Sequence, residues 1–285
     1  GTLRQATPES HGMDSEKLAQ VDRVINDAIA AKEIPGAVIS VVRGNDIVYL
    51  KAYGSKSVVP AVEPMTTETM FDLASVSKCV GTTLSFMQLI ENGLVRLTDN
   101  VDRYIPGFRP WTDPESGETV SITIRDLLTH TSGLTPYINA NSFVNEYGGN
   151  TPDRLEEFIA TKVKRNFRPG SDFMYSCLNF ITLRRILERV TGERLYEYAQ
   201  RHVFDVLGLR HTCYFPLIND PAVGDSAGLA RLCAPTEVQA DGKPLVAQVH
   251  DPMARRIMGG NSGNAGVFSN AEDLSVICAA VMNGG

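Results

Sequence analysis

Reactive chemistry is most easily read at Ser75-Val76-Ser77-Lys78. A hydroxyl and an amine three residues apart share one face of a helix. Serine is a weak nucleophile until a neighbour takes its proton, and a lysine can take it once desolvation or another cation has lowered the lysine pKa. At a helix start the peptide dipoles would also favour a developing oxyanion. The pattern alone is weak, because about one chance match per few hundred residues is expected from the abundance of Ser and Lys. In the simpler reading Ser75 caps the helix and Lys78 is solvated. His250-Asp251 has no second histidine at ligand spacing, so a hydrogen bond that fixes a loop is its expected role. Glu156-Glu157 and Lys162 to Arg165 read as solvated helix charges. Cys79, Cys177, Cys213, Cys233 and Cys278 are odd in number and lack CxxC spacing. They therefore argue against a zinc cage or disulfide framework and read as buried free thiols.

The elements around these residues follow from periodicity. Asp14 or Ser15 can cap a helix whose Leu18, Val21, Ile25, Ala28 and Ile29 recur at helical spacing, with Pro35-Gly36 stopping it. The β-rich runs 37–42 and 47–50 flank Arg43-Gly44-Asn45-Asp46, which suits a tight hairpin reversal. The first run is almost continuously apolar, as a strand covered on both faces requires. From Ser75 onward Val76, Val80, Leu84, Met87 and Ile90 form a helical stripe that Gly93 can end. Further helices are expected at 124–129, 153–164, 177–190, 195–206 and 271–282, and the stretch from Asp220 to Gly266 reads mainly as loop. Two strands make a poor sheet, so the hairpin should need partners that this chain hardly supplies.

Composition narrows the function classes. The 285 residues, 43% hydrophobic and 21% charged, suit a globular protein with a sizeable core. A net charge of -6 gives no basic field for phosphates, so nucleic acid is not an expected partner and a small-molecule or peptide substrate fits better. No apolar run approaches the roughly 20 residues of a transmembrane helix, and no signal peptide is visible. Oligomeric state cannot be read from these features.

Several ordered blocks carry a resemblance. Phe71-Asp72-Leu73-Ala74-Ser75-Val76-Ser77-Lys78 is similar to the nucleophile segment of class C β-lactamases, DD-peptidases and related esterases. Gly93 to Asp99 with Tyr104-Ile105-Pro106, then Ile124 to Leu134, are similar to the family's next two blocks. Pro169-Gly170 with Phe173-Met174-Tyr175-Ser176 resembles its tyrosine motif, and 249–274 resembles a penicillin-binding-protein-like block. The likeness spans nearly the whole chain.

The resemblance implies an α/β part plus a large helical lobe, a β-lactamase/transpeptidase-like fold in one domain over 1–285. Residues 1–74 would belong to the α/β lobe and 75–285 mainly to the helical lobe, with Ser75 at their junction. It implies an acyl-serine hydrolase with Ser75 as nucleophile, Lys78 as proton partner and Tyr175 as proton relay, no metal or organic cofactor, and an extracytoplasmic site of action. Whether Lys78 or Tyr175 is the base stays open. The substrate would be a β-lactam or a cell-wall peptide amide, with an ester, or binding with little turnover, as alternatives. Two departures stand out. The motif Tyr-x-Asn ends here in Cys177, a weak hydrogen-bonding group, so substrate-amide recognition falls to Cys177 or to Asn179. The Lys- or His-initiated third motif and the last sheet strands are expected beyond Gly285, and His130-Thr131-Ser132-Gly133 takes a structural role. Gly263-Asn264-Ala265-Gly266 reads as a turn packed near the cleft.

Overall fold

The computed structural model describes residues 2–215 and 228–285. After β1 (Arg4–Gln5), the Asp14 carboxylate accepts from the Glu16 and Lys17 N–H groups and caps α1 (Ser15–Leu18). The single helix expected there is divided, and α2 (Gln20–Ala30) follows Ala19. β2 (Gly36–Arg43) and β3 (Asp46–Ser57) form the antiparallel hairpin, turning at Gly44 with φ 61°. Its partners are two-residue strands, too short to give a period-2 pattern. β1 lies parallel to β3, and β4 (Glu63–Pro64) lies antiparallel to it, making a four-stranded sheet.

β5 (Phe71–Asp72) leads into a helical run that ends as α3 (Leu84–Glu91). The small hairpin β6 (Trp111–Thr112) and β7 (Thr119–Val120) precedes α4 (Ile124–Leu128), which carries a Thr123–Asp126 capping box. α5 (Ala140–Tyr147) lies outside the expected helices, although Ala140, Phe143, Val144 and Tyr147 do recur at helical spacing. Then come α6 (Pro152–Thr161), α7 (Cys177–Thr191) and α8 (Leu195–Ala199), the last passing into a π-wound turn at Gln200–Phe204. α7 is central: Leu178, Ile181, Leu183, Ile186 and Leu187 are fully buried against Phe86, Leu89, Leu127, Leu155 and Ile159.

The segment expected to be mainly loop has a 3-10 turn at Ala230–Leu232 and a π turn at Met253–Ile257; residues 220–227 of it lie outside the described residues. A small sheet then closes on the start of the helical run, in the order β5, β9 (Val267–Ser269), β8 (Cys213–Tyr214). Finally α9 (Ala271–Met282) returns to the hairpin. The two faces of that hairpin are distinguishable by side-chain alternation. Tyr49, Lys51 and Tyr53 reach Asp22 of α2, whereas Ser40 bonds Ser275 of α9 at 2.7 Å. No helix among the described residues is long and apolar enough to cross a membrane.

Candidate active site

Backbone strain marks the start of the site. Asp72 accepts the Ala74 N–H at 2.7 Å, and Ala74 has φ 46°, a left-handed conformation that a non-glycine residue adopts at a cost. The chain then winds through a 3-10 turn at Ala74–Val76 and a π segment at Lys78–Thr83 before becoming α3. The helix expected from Ser75 is thus present but irregular, and such π segments recur at functional sites. Three side chains stitch it to the loop before β9. Ser77 Oγ accepts the Val267 N–H at 3.0 Å, Lys78 Nζ donates to the Asn264 carbonyl at 3.0 Å, and Thr82 Oγ donates to the Gly263 carbonyl at 2.7 Å.

Lys78 is only 3% exposed, while Ser75 lies open to the cleft. Lys78 Nζ is 3.0 Å from Ser75 Oγ and 3.6 Å from Cys177 Sγ, a long contact to a weak acceptor. None of its three hydrogen-bond partners among the described residues is a carboxylate.

Tyr175, 43% exposed, brings its ring centroid to 4.9 Å from Lys78 Nζ. The His130 ring packs against it in a tilted arrangement, with centroids 4.4 Å apart, and Phe180 lies 5.3 Å from His130. His130 Nδ1 lies 3.1 Å from the Ser176 nitrogen and 3.0 Å from Asn179 Nδ2. Because the Ser176 N–H can only donate, Nδ1 is the unprotonated nitrogen and Nε2 carries the hydrogen. Burial, and then the Lys78 charge, hold His130 down to about 4.

The structure brings Ser75, Lys78, Tyr175 and Cys177 together and leaves Asn179 out. Asn179 is fully buried, its carboxamide occupied by His130 and by the Ser132 hydroxyl, so it lies one layer below the cleft. That position follows from helix geometry: Cys177 begins α7 at the surface, and two residues on the side chain turns into the core. Two participants escaped sequence reasoning. The Asn264 carbonyl is a main-chain group that no motif could flag. His130 was set aside as structural although its ring packs against Tyr175. His250 does fix a loop, with its N–H to Asp72 at 2.7 Å and its ring to Glu237 at 2.6 Å. The thiols differ from expectation: only Cys233 is buried, Cys79 and Cys278 are exposed, and Cys177 and Cys213 lie between.

In comparison with known proteins, residues 21–285 match the model of the Beta-lactamase family. The chain belongs to that family. Its beta-lactamase-family relatives include an Escherichia coli (strain K12) protein named "Putative D-alanyl-D-alanine carboxypeptidase", 31% identical over 99% of this chain and 68% of the relative. The octameric penicillin-binding protein homologue from Pyrococcus abyssi shares the fold with a TM-score of 0.71 and 24% identity, covering 93% of this chain and 56% of that one. A hydrolase with promiscuous acyltransferase activity, EstCE1, superposes with a TM-score of 0.69 at 27% identity, over 91% of this chain and 71% of that one. The chain thus spans little more than half of the archaeal homologue. The beta-lactamase/transpeptidase-like fold expected from the motifs is the fold found.

Proposed function

We propose that this chain carries the nucleophile of a serine hydrolase that forms an acyl-Ser75 intermediate on a cell-wall-type peptide amide or a β-lactam. The observation that carries the proposal is the 3.0 Å contact between Ser75 Oγ and a buried Lys78 that has no carboxylate among its hydrogen-bond partners in the described residues. The Ser75 proton passes into the Lys78–Tyr175 pair as Oγ attacks the carbonyl carbon. The Ser75 N–H donates to no partner among the described residues, which leaves it available for the oxyanion. Tyr175, whose ring lies against Lys78, relays that proton to the departing nitrogen, which leaves as the tetrahedral intermediate collapses. Water then attacks the acyl carbon, gives its proton back through the same network, and frees Ser75. The carboxypeptidase name of the 31% identical relative supports the amide substrate.

One observation favours an ester instead. The residue facing Lys78 at the start of α7 is the thiol of Cys177, a poor partner for a substrate amide, and the 27% identical neighbour is a hydrolase with acyltransferase activity. Intact-mass measurement after exposure to a penicillin, beside hydrolysis of nitrocefin and of p-nitrophenyl acetate, tests both readings. A Ser75-borne adduct with nitrocefin turnover is expected. Ester turnover with no adduct would transfer the assignment to the esterase, and neither adduct nor turnover would refute the acyl-serine mechanism.

A further inference from the structure

We infer that His130 is the positioning residue of Tyr175, holding the phenol over Lys78 through its ring and its Nδ1. The inference rests on the proposed relay role of Tyr175. His130 is the first residue beyond the end of α4. Thr129 is the C-cap, His130 follows with φ 58°, and the Thr131 N–H returns to the Asp126 carbonyl at 2.9 Å. This is the six-to-one bond of a helix terminus whose left-handed residue is ordinarily Gly, sometimes Asn. A histidine there carries a backbone cost of about 1 kcal/mol. Terminating the helix does not require it, so the ring must contribute something else.

Its contacts show what that is. The residues on either side of Tyr175 both bond to His130: the Met174 N–H donates to the His130 carbonyl at 2.9 Å, and the Ser176 N–H donates to Nδ1 at 3.1 Å. Tyr175 lies between these two bonds with its ring packed, tilted by 34°, against the imidazole at 4.4 Å between centroids. Phe180 at 5.3 Å and the edge of Phe173 at 6.1 Å hold the imidazole from other sides. Backbone and ring of Tyr175 are therefore fixed by one residue from a different element. Lys78 and Tyr175 are the titratable groups against the ring, and the neutral state of His130 preserves the Nδ1 acceptor. Asn at this position would tolerate the left-handed backbone and keep an acceptor oxygen but lose the stacking surface.

The test is a double-mutant cycle of His130→Asn and Tyr175→Phe, with nitrocefin, which opens at a nitrogen, as substrate and active protein counted by the acylation burst. His130→Asn is expected to lower kcat by about a hundredfold, the usual consequence of displacing a reacting group by an ångström, with KM held within about twofold. Tyr175→Phe is expected to lower kcat by roughly a hundredfold or more. In the Tyr175→Phe background His130→Asn should then cost less than about threefold. His130→Phe, which keeps a ring but loses Nδ1, should fall between wild type and His130→Asn. Equal losses from His130→Asn in both backgrounds, or a kcat unchanged by it, overturn the positioning role while leaving the relay intact. A Tyr175→Phe enzyme with wild-type kcat, or a wild type without turnover, overturns the relay itself and this inference with it.

Discussion

Gly81→Ala is the substitution whose outcome the packing around the site determines most sharply. Gly81 lies in the π segment one turn beyond Lys78, and a Cβ added there would fall 2.3 Å from the Tyr214 hydroxyl, 3.1 Å from Val267 Cγ2 and 3.2 Å from Tyr214 Cζ. Tyr214 is 5% exposed and packs beside Phe204, so it has little room to withdraw. Overpacking of this kind costs about 1–3 kcal/mol. Replacing a helical glycine returns roughly 0.5–1 kcal/mol. The net expectation is a loss of roughly 1–2 kcal/mol, or a fall of about 2–8 °C in Tm for a chain of this size. Because the hydroxyl makes the shortest contact, Tyr214→Phe should relieve most of the loss while itself changing stability by less than about 1 kcal/mol. Urea denaturation of the four proteins measures the coupling, expected at about 1 kcal/mol. If Gly81→Ala costs the same with Tyr214 or with Phe, the hydroxyl is not what the missing methyl accommodates. Ester turnover should fall with stability in the single variant and recover in the double, since Lys78 is wound into the same segment.

Other consequences are as specific. Cys177→Asn replaces the long sulfur contact to Lys78 with an amide, and should raise nitrocefin hydrolysis relative to p-nitrophenyl acetate hydrolysis by about fivefold or more, a gain of roughly 1 kcal/mol from one good hydrogen bond; an unchanged ratio rules out Cys177 as a discriminator. His130 titrates at about 4 in the fold against 6.5 for a free histidine, so the folded state prefers the neutral ring. Its contribution is complete above pH 6.5 and is lost as pH falls toward 4. The full span corresponds to about 3 kcal/mol, which partial exposure of the ring and solvent screening reduce to roughly 1–2 kcal/mol. Denaturation at pH 7 and pH 4 should show that part of the loss removed in His130→Asn. Glu156 joins α6 to Arg184 and Arg185 of α7, and burial drives its carboxyl up to about 7. Glu156→Ala should cost about 3 kcal/mol in urea denaturation because Arg184 stays buried with less compensation; a cost under about 1 kcal/mol would mean that Glu188 alone suffices.

Much of the molecule was legible before any coordinates because its helices carry long apolar stripes. The 271–282 helix falls where its periodicity puts it, and α4, α6 and α7 lie within a few residues of their expected spans. The small strands were not legible. Phe71-Asp72, Cys213-Tyr214 and Val267 to Ser269 are too short to alternate, and their pairing is decided by tertiary contact. At the site the Ser75-Lys78 spacing expressed a helical fact, so the contact could be anticipated. Asn179 could not be assigned in the same way, because its direction depends on which face of α7 meets the core. The Asn264 carbonyl carries no side-chain identity at all. The packing of the His130 ring against Tyr175 was not legible either, because the 130–133 segment reads as structural from its place in the order of blocks.

The three contacts of Lys78 explain why this site needs most of the fold. Ser75 comes from the strained turn after β5, Cys177 from the first turn of α7, and Asn264 from the loop before β9. The last of these is held by close backbone approach. A Cβ on Gly263 would lie 2.0 Å from the Phe180 carbonyl, and Gly266, at φ 124°, would place one 2.9 Å from the Gly260 carbonyl. The loop therefore lies tight against α7, and Asn264 turns its carbonyl to Lys78 while its side chain bonds Asp251 at 3.1 Å and Ser262 at 2.6 Å. A carbonyl, a thiol and the Ser75 hydroxyl hold the Lys78 amine in place, and these three partners tie the packing of three distant segments to the position of one side chain.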